Sequence, residues 1–510
     1  MERHRPQARR QLTLARVVTD AAARFDVKAA VVAPDGWALS YRDLDRLSDE
    51  VADGLTARGI GPGDVVALSL PSSPDYLVAY VAAAKVGAAT AGVNPRFAPE
   101  QRRAVMAAAA PSLAIGTADL LDGAPSDLPV LDVALAGSAD QVLPPLRHAP
   151  RSATRPPPDD ERPVAIVFTS GTTGVPKGAV FTGRQLSAIA QMDVGRRSDG
   201  GGPMLVNTEL VHVGVMTKLA WYLRTGATLH LLRRWRAADA LRIISEQRMT
   251  TIGAIAPQIA LILRQPDFDE YDLGSVTRIV AGGAPSPPAL VLEARERFGA
   301  AYSIRYSSTE SGGVGTATAF TAPDAEALYT VGHPRDGVVV TVRDEEGAEV
   351  ERGVVGEIWL QSPAVMAGYW RDPKATADTL IGGWLRTDDL GSVDDKGRLR
   401  LAGRRADSFV RGGYNVYPEP VEAVLGGHPA IREVAVVPAG DAVLGQVGVA
   451  VIVPADPSVA PVLEDLRAFA AAHLPHHELP ERLVILDALP RTPLDKIDRT
   501  QLVALAAGLT

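Results

Sequence analysis

Short apolar runs alternate along the chain with stretches in which apolar residues recur at helical spacing. VVALSL at 65–70 and VAIVF at 164–168 are runs of the kind that form buried strands. Residues 40–55 are typical of a strand end followed by an amphipathic helix, because their leucines and valine return every three or four positions. This alternation predicts an α/β fold with mainly parallel sheets.

The pattern restarts as a compact unit after residue 403. Before that point, WLRTDDLG at 384–391 leads through a turn at 394–397 into a second strand. After it, we predict a Gly-containing loop, helices near 418–425 and 462–474, and strands at 434–437 and 447–453. We therefore predict a large N-terminal multi-subdomain α/β domain with mixed sheets over 1–403 and a small mobile C-terminal α+β domain over 404–510. The segment 143–163, rich in Pro, Arg and Asp, is predicted to be a surface connection within the large domain.

Composition narrows the class of protein. The chain has 510 residues, 46% of them hydrophobic and 22% charged, which favours a globular protein of two or more domains. A net charge of −8 disfavours nucleic-acid binding. The absence of cysteine excludes a Cys nucleophile and thiolate metal sites. The longest apolar stretch, 77–93, contains Lys85 and is too short for a bilayer span, so we expect a cytoplasmic protein without a membrane span.

The strongest local signal is TSGTTGVPKG at 169–178, directly after a predicted buried strand. Its glycines let backbone N–H groups face an anion, its hydroxyl groups add donors, and its lysine adds a positive charge. The alternative, a flexible surface loop, is disfavoured by this combination. A Walker loop is excluded because Val-Pro separates the last glycine before the lysine from that lysine. The predicted polyphosphate site comprises Thr169, Ser170, Gly171, Thr172, Thr173, Gly174 and Lys177.

This loop resembles the signature of the adenylate-forming (AMP-binding) superfamily, which includes acyl-CoA synthetases, nonribosomal peptide adenylation domains and beetle luciferases. Four further motifs follow in the order that this family requires, so the resemblance extends from Ser40 to Leu502. They are GGAP at 282–285, YSSTE at 306–310, WLRTDDLG at 384–391 and PRTPLDKIDR at 490–499. GRRAD at 403–407 and RGGYNVYP at 411–418 are also similar to the acyl-CoA synthetase branch.

The resemblance implies a role for each matching residue at the nucleotide. Gly283, Ala284 and Pro285 line the adenine pocket. Tyr306 stacks on adenine, Ser307 and Ser308 belong to the nucleotide loop, Thr309 contacts the α-phosphate and Glu310 holds magnesium. A carboxylate is a suitable ligand for a metal that bridges phosphates. Ser307 stands where the family has glycine, which restricts the backbone.

The later motifs imply the remaining nucleotide contacts and the hinge. Asp389 accepts hydrogen bonds from the ribose, and Arg404 reaches ribose and phosphate. Asp407 is the hinge between the two domains. Asp388 stands where the family has glycine and adds a carboxylate close to the nucleotide.

The small domain supplies the catalytic lysine and the coenzyme A loop by the same resemblance. Lys496 is the catalytic lysine, and Asp495 before it replaces a family glycine. The alternative is that Lys496 is one more solvated lysine. The residues bordering the coenzyme A channel are Arg411, Gly412, Gly413 and Tyr414, and Val410 stands where many members carry lysine.

The acyl pocket is expected around the segment VHVGVM at 211–216. His212 matches the position beside the pocket where the family often has an aromatic residue or histidine, and its alternative role is that of a structural histidine. The small and apolar residues predict a cavity lined by His212, Val213, Gly214, Met216, Gly312 and Gly313. No acidic residue occurs at 211–216, where amino-acid-activating relatives place an aspartate, which favours a hydrophobic or aromatic acid.

The resemblance implies an acyl-CoA synthetase that uses ATP, magnesium and coenzyme A to activate a carboxylic acid as acyl-AMP and pass the acyl group to a thiol. One alternative is a member that performs one half-reaction: forming acyl-AMP, loading a carrier protein, or thioesterifying a supplied acyl-AMP. A second is a non-catalytic nucleotide-binding protein. The expected partners are the small-molecule substrates, and a carrier protein and an oligomer are open alternatives.

Overall fold

The computed structural model of the chain describes residues 13–148, 155–169, 176–194, 201–412, 414–441, 443–492 and 496–508. Several residues singled out from the sequence lie outside the described residues. They are Ser170, Gly171, Thr172, Thr173, Gly174, Gly413 and Asp495.

The helices occur throughout the chain. They are α1 Leu14–Phe25, α2 Tyr41–Ala57, α3 Pro74–Val86, α4 Pro99–Ala109, α5 Ala118–Leu121, α6 Gly183–Val194, α7 Val213–Met216, α8 Leu219–Thr225, α9 Ala237–Glu246, α10 Ala256–Leu263, α11 Pro288–Phe298, α12 Asp324–Ala327, α13 Pro373–Thr379, α14 Pro418–Leu425, α15 Leu463–Ala471 and α16 Arg499–Ala507.

The strands alternate with these helices. They are β1 Ala29–Val32, β2 Ala38–Ser40, β3 Val65–Ser69, β4 Ala89–Gly92, β5 Leu113–Gly116, β6 Val130–Asp132, β7 Pro163–Thr169, β8 Lys177–Thr182, β9 Pro203–Leu205, β10 Thr228–His230, β11 Thr251–Ala254, β12 Arg278–Gly282, β13 Ala301–Tyr306, β14 Thr316–Ala317, β15 His333–Pro334, β16 Val339–Arg343, β17 Gly356–Gln361, β18 Gly368–Tyr369, β19 Leu380–Ile381, β20 Trp384–Val393, β21 Leu399–Arg404, β22 Phe409–Arg411, β23 Tyr414–Val416, β24 Ile431–Asp441, β25 Gly445–Pro454 and β26 Arg482–Ile485.

The largest sheet has the order β18-β8-β7-β4-β3-β5-β6, with its inner strands parallel. Strand β3 is buried at every position, as its unbroken apolar run predicts. Strands β7 and β8 are antiparallel, and Thr169 pairs with Lys177 across them. The two residues that flank the predicted phosphate loop therefore lie side by side at one edge of the sheet.

Two further sheets of the large domain bring the motif residues together. Strands β11, β12 and β13 are parallel, and Gly282 at the end of β12 pairs with Arg305 near the end of β13. The carboxyl ends of parallel strands meet at one edge, which is where α/β proteins bind ligands. In the antiparallel sheet β16-β17-β20-β19, β21 pairs with β20 and sets Asp389 opposite Arg404.

The C-terminal part is a sheet with helices on both faces. Strands β24 and β25 form a long antiparallel pair, and β26 adds to β25 in parallel. Helices α14 and α15 contribute Leu425 and Leu466 to the core on one face, and α16 contributes Leu502 to the core on the other. A mixed α/β fold with a large N-terminal and a small C-terminal domain is thus confirmed. The boundary between 403 and 404, with its hinge at Asp407, stays a prediction.

The prediction of a surface connection at 143–163 is wrong for its first residues. Leu143 and Leu146 are fully buried. The Leu146 carbonyl oxygen would lie only 1.7 Å from a Cβ atom at Gly54, so this segment packs directly on α2. Pro144 and Pro145 begin a short 3-10 helix, Pro144–Leu146, and the leucines on either side of the two prolines join the core.

Among the described helices, none combines the length and apolar character that a bilayer span requires. Helix α3 carries Lys85, which is 6% exposed. Its ammonium lies 2.6 Å from an Asp45 carboxylate oxygen and 3.0 Å from one of Asp49, both on α2. The lysine within this apolar helix is therefore paired with acids of its neighbour.

We expect Lys85→Met to destabilise the large domain by about 2 kcal/mol, because the carboxylates of Asp45 and Asp49 lose the buried cation between them. The expected loss is moderate because the Asp49 carboxylate is partly solvated. Urea unfolding followed by tryptophan fluorescence measures this, since all six tryptophans precede residue 403. Lys374→Met removes an exposed pair with Asp378 and should change the unfolding free energy by less than about 0.5 kcal/mol. Equal losses in the two variants would contradict the prediction.

Candidate active site

A cleft of about 2740 Å³ runs between the sheets of the large domain and the small C-terminal unit. Most of the described residues predicted from the sequence line it. They are Thr169, Lys177, His212, Val213, Gly214, Gly283, Ala284, Pro285, Tyr306, Ser307, Ser308, Thr309, Glu310, Gly313, Asp389, Arg404, Asp407 and Lys496. Met216, Gly312, Arg411, Gly412 and Tyr414 do not line it. The tertiary structure thus brings together residues that are more than 300 positions apart in sequence.

One side of the cleft is held by a contact among Tyr306, Asp389 and Arg404. The Tyr306 hydroxyl donates a hydrogen bond of 2.7 Å to Asp389, and the Arg404 guanidinium lies 2.9 Å from the other carboxylate oxygen. Burial raises the pKa of Asp389, while Arg404 and Tyr306 act in the opposite direction. Both carboxylate oxygens of Asp389 therefore have partners within the protein.

Glu310 meets a residue that the motifs did not indicate, Tyr369. The Tyr369 hydroxyl donates a hydrogen bond of 2.9 Å to Glu310, and the Lys177 ammonium lies 5.5 Å from the centre of the Tyr369 ring. Burial and the Glu310 charge raise the pKa of Tyr369. Tyr369 lies in β18, which pairs with β8 beside Lys177, so its side chain connects Lys177 to Glu310. In the sequence Tyr369 is marked only as an aromatic residue that follows Gly368, which does not indicate a contact with Glu310.

The described residues contain no cluster of three or more His, Asp or Glu side chains that could hold a metal ion. A magnesium ion that arrives on a nucleotide does not need one, because it is commonly held by one or two carboxylates together with phosphates and water. Glu310 lines the cleft together with Lys177 and Thr309, and its carboxylate is suitable as such a ligand.

Two of the departures from the family motifs have different backbone conformations. Ser307 is absent from the described non-glycine residues with positive φ, so its backbone does not require glycine. Asp388 has a φ of 59° and lies in the left-handed region, where glycine is favoured and aspartate is tolerated. Asp388 lies within β20, where the pairing with β17 shifts register, so the glycine that the family has at 388 matches a conformational requirement of this irregularity in the strand.

His212 lies at the N-cap of α7 and faces the cleft. Its Nε2 atom is 3.4 Å from the Asn94 side-chain nitrogen. Burial, with the positive charges of Lys496 and Arg96, lowers the pKa of His212 to about 4. The imidazole is therefore neutral at physiological pH. Asn94 was not identified from the sequence, because 118 positions separate it from His212.

The predicted acyl pocket has its described wall on two elements. Val213 and Gly214 of α7 line the cleft together with Trp221 and Tyr222 of α8. Met216 is 1% exposed and lies behind this wall, where its carbonyl accepts the Tyr80 hydroxyl at 2.6 Å. The two aromatic rings, with centroids 4.7 Å apart, add flat apolar surface that the motifs did not indicate.

Gly312 and Gly313 both have left-handed backbones, with φ of 70° and 71°. A Cβ atom at Gly312 would lie 2.5 Å from the Ala364 carbonyl oxygen, so this position supports the wall from behind. Gly313 faces the cleft, and its carbonyl accepts a hydrogen bond of 3.3 Å from the Lys218 ammonium.

The small domain contributes Lys496 to the cleft. Burial and the Arg404 charge lower the pKa of its ammonium, whereas Asp389 and Glu310 raise it. A hydrogen bond of 2.7 Å from the Thr492 N–H to the Lys496 carbonyl fixes the backbone at this point. Lys496 therefore lies within the electrostatic field of Arg404, Asp389 and Glu310.

The loop expected to border a coenzyme A channel lies elsewhere on the small domain. Arg411 pairs with Glu481, and Gly412, with φ of 54°, donates a hydrogen bond of 2.9 Å to the Leu444 carbonyl. The Tyr414 ring is 59% exposed and stacks on His477 with centroids 4.7 Å apart. In the arrangement observed, these residues are outside the cleft that Lys496 enters.

Glu419 lies where the two domains meet, against Gly403, whose Cβ position would be 4.0 Å from the Glu419 carboxylate. Burial, together with the charges of Glu422 and Asp389, raises the pKa of Glu419 to about 7, although Arg499 and Arg404 act in the opposite direction. The carboxyl group is thus half-ionised near physiological pH.

We predict that Asp388→Asn and Asp388→Gly both lower the KM for ATP by roughly threefold, because each removes a negative charge beside the expected triphosphate. Steady-state kinetics at fixed acid concentration measures this. Asparagine keeps a side chain that tolerates the left-handed region, so the Asn variant isolates the charge from the backbone strain. An unchanged KM in the Asn variant would contradict repulsion by Asp388.

We also predict that Glu419→Gln removes the pH dependence of the unfolding free energy that the Glu419 carboxyl group contributes. The folded-state pKa is raised above the ordinary 4.5, so the stability that protonated Glu419 contributes is complete below about pH 4.5 and is lost as pH rises to about 7. Wild type and variant should match at about pH 4, and the variant should be more stable by about 2 kcal/mol at about pH 8. Urea unfolding followed by circular dichroism measures both values.

The control for Glu419→Gln is Glu464→Gln, which changes an exposed glutamate on α15. It should track the wild type at both pH values. A Glu419→Gln variant that also tracks the wild type would show that the carboxyl group has an ordinary pKa.

The chain matches the family described as AMP-binding enzyme over residues 18–370, and AMP-binding enzyme C-terminal domain over 420–496. It is 32% identical over 493 residues to the fatty acid–[acyl-carrier-protein] ligase ScoC of Streptomyces coeruleorubidus, with 94% of each chain covered. It is 31% identical over 488 residues to the long-chain-fatty-acid–CoA ligase FadD13 of Mycobacterium tuberculosis, covering 91% of this chain and 92% of the relative.

Among solved structures, the amide bond synthetase McbA from Marinactinospora thermotolerans matches with a TM-score of 0.86 and 31% identity, over 96% of this chain and 99% of that one. The two matched domains and the coverage of nearly the whole length thus agree with the resemblance read from the sequence. The protein belongs to the AMP-binding family of adenylate-forming ligases.

Proposed function

We propose that the protein is an acyl-CoA synthetase that activates a hydrophobic or aromatic carboxylic acid with ATP, releases pyrophosphate and transfers the acyl group to coenzyme A. The observation that supports this proposal is the convergence of Lys177, Glu310, Asp389 and Lys496 on one cleft. Lys177 lies in β8, Glu310 follows β13, Asp389 lies in β20 and Lys496 belongs to the small domain, so only the folded chain assembles them.

In the proposed first step, the substrate carboxylate attacks the α-phosphorus of ATP and pyrophosphate leaves. Negative charge grows on the phosphoryl oxygens, and the ammonium groups of Lys177 and Lys496 stabilise it. Magnesium held by Glu310 would neutralise phosphate charge when bound. The low dielectric around Lys496, which lowers its pKa, also strengthens its attraction for an anion.

In the proposed second step, a thiol attacks the acyl carbonyl of acyl-AMP and AMP leaves. The loop containing Gly412 and Tyr414 lies outside the cleft while Lys496 lies inside it. We therefore propose that the small domain turns about Asp407 between the steps, so that Lys496 leaves and this loop approaches. His212 is neutral at physiological pH, so its imidazole does not form an ion pair with the carboxylate of the substrate acid.

The proposed acid class rests on the wall of the acyl chamber. Val213, Gly214, Trp221 and Tyr222 offer apolar and aromatic surface. No acidic residue at 211–216 is present to hold a substrate amine. A hydrophobic or aromatic acid therefore fits better than an amino acid.

A second candidate is transfer of the acyl group to the thiol of a carrier protein, or another single half-reaction. The similarity to a relative that is named as a fatty acid–[acyl-carrier-protein] ligase favours it. Both candidates share acyl-AMP formation and differ in the acceptor.

The test is a panel of carboxylic acids incubated with ATP, with and without coenzyme A, and analysed by mass spectrometry for acyl-AMP and acyl-CoA. We expect acyl-AMP without coenzyme A and acyl-CoA with it. Lys496→Ala should lower acyl-AMP formation by about 100-fold or more, as loss of a group that stabilises transition-state charge does. It should spare thioester formation from supplied acyl-AMP.

Two outcomes would contradict the proposal. Acyl-AMP that never passes to coenzyme A but passes to a carrier-protein thiol would favour the second candidate. ATP cleavage to AMP that depends on neither an acid nor a thiol would revive a nucleotide-binding protein without acid activation.

A further inference from the structure

Arg499 is a charged residue of the small domain whose three nitrogen groups all have partners. Its Nε atom lies 3.3 Å from the Asp407 carboxylate. One terminal nitrogen lies 2.8 Å from the Glu422 carboxylate, and the other donates a hydrogen bond of 3.0 Å to the Val436 carbonyl. The guanidinium thus joins the predicted hinge, helix α14 and strand β24.

The position of Arg499 in the chain connects these contacts to Lys496. Arg499 is the first residue of α16, after the N-cap Asp498, whose side chain accepts the Gln501 N–H at 3.1 Å. The Asp498 N–H donates a hydrogen bond of 2.8 Å to the Pro490 carbonyl. Only two residues lie between Lys496 and Arg499, so fixing the start of α16 also fixes the segment that delivers the lysine.

The partners of Arg499 divide into two groups. Glu422 and Val436 belong to the small domain, and the Glu422 carboxylate also accepts the Val436 N–H at 2.7 Å. Asp407 belongs to the turn after β21, where its N–H donates to the Arg404 carbonyl at 3.0 Å. A planar guanidinium can hold three such partners at once, whereas a lysine ammonium cannot reproduce that fork.

From these contacts we infer that Arg499 is a positioning residue, which ties the Lys496 segment to the pivot at Asp407 so that Lys496 enters the cleft for acyl-AMP formation. The inference rests on the proposed function. In this inference Arg499 acts through Lys496 rather than on a reacting atom. Its contacts with Glu422 and Val436 lie within one domain and persist whatever the orientation of that domain.

The inference separates the two half-reactions. Acyl-AMP formation needs Lys496 in the cleft, whereas thioester formation from supplied acyl-AMP does not. A displacement of the lysine by about 1 Å can cost about 100-fold in rate. A residue that only stabilises the small domain would affect both half-reactions alike, because both need that domain folded.

The experiment compares wild type, Arg499→Lys, Arg499→Gln, Lys496→Ala and the double variant Lys496→Ala/Arg499→Gln in the two half-reactions. We expect Arg499→Gln to lower kcat for acyl-AMP formation by about 30-fold, within the range for a misplaced catalytic group, with Arg499→Lys in between. Thioester formation from supplied acyl-AMP should stay within about twofold. The double variant should lose no more than Lys496→Ala, because groups that act as one unit are not additive.

The matched control is Arg467→Gln. Arg467 also lies in the small domain and donates to the backbone carbonyls of Leu479 and Pro480, but it does not line the cleft. Its loss should leave the ratio of the two half-reactions unchanged. Thermal unfolding of each variant shows whether the small domain is folded, and Arg499→Lys provides the milder change if Arg499→Gln is not.

Equal losses in both half-reactions, or additive losses in the double variant, would overturn the inference while leaving the proposed function intact. A wild type that forms no acyl-AMP from any acid would overturn the proposed function and the inference with it.

Discussion

The ion pair between Asp389 and Arg404 joins one wall of the cleft to the chain that leads into the small domain. Pairing of β20 with β21 places the two residues opposite each other, and their side chains meet at 2.9 Å. The Tyr306 hydroxyl binds the same carboxylate from a different sheet. Because Arg404 ends β21, the direction in which the chain leaves the large domain depends on this contact.

The cleft contains acidic and basic side chains that are largely shielded from water, and this shielding shifts their pKa values. Burial raises the pKa values of Asp389 and Glu419 and lowers that of Lys496, since each charged form loses hydration. An anionic nucleotide beside Lys496 would stabilise the charged ammonium, which loses hydration on burial. The site is therefore better suited to hold a polyphosphate than to remain without one.

The departures from the family motifs bear on local properties rather than on the fold. Asp388 adopts a left-handed backbone that glycine would adopt more easily, whereas Ser307 does not. Val410 is 50% exposed on β22, away from the cleft. A single substitution of this kind changes strain, charge or exposure at one point, and around Asp388 the strands β17, β20 and β21 stay paired.

The sequence by itself determined the elements and the family. The helix predicted at 418–425 is α14, the strands at 65–70 and 164–168 are β3 and β7, and motif order identified the AMP-binding enzymes. Hydrophobic periodicity and motifs depend on residues that are close together in sequence, so each segment can be interpreted without knowing how the chain folds. Only the tertiary structure decided that Tyr369 binds Glu310 and that Arg499 binds Asp407, because hydrogen bonds and ion pairs between distant segments depend on how the sheets and domains pack.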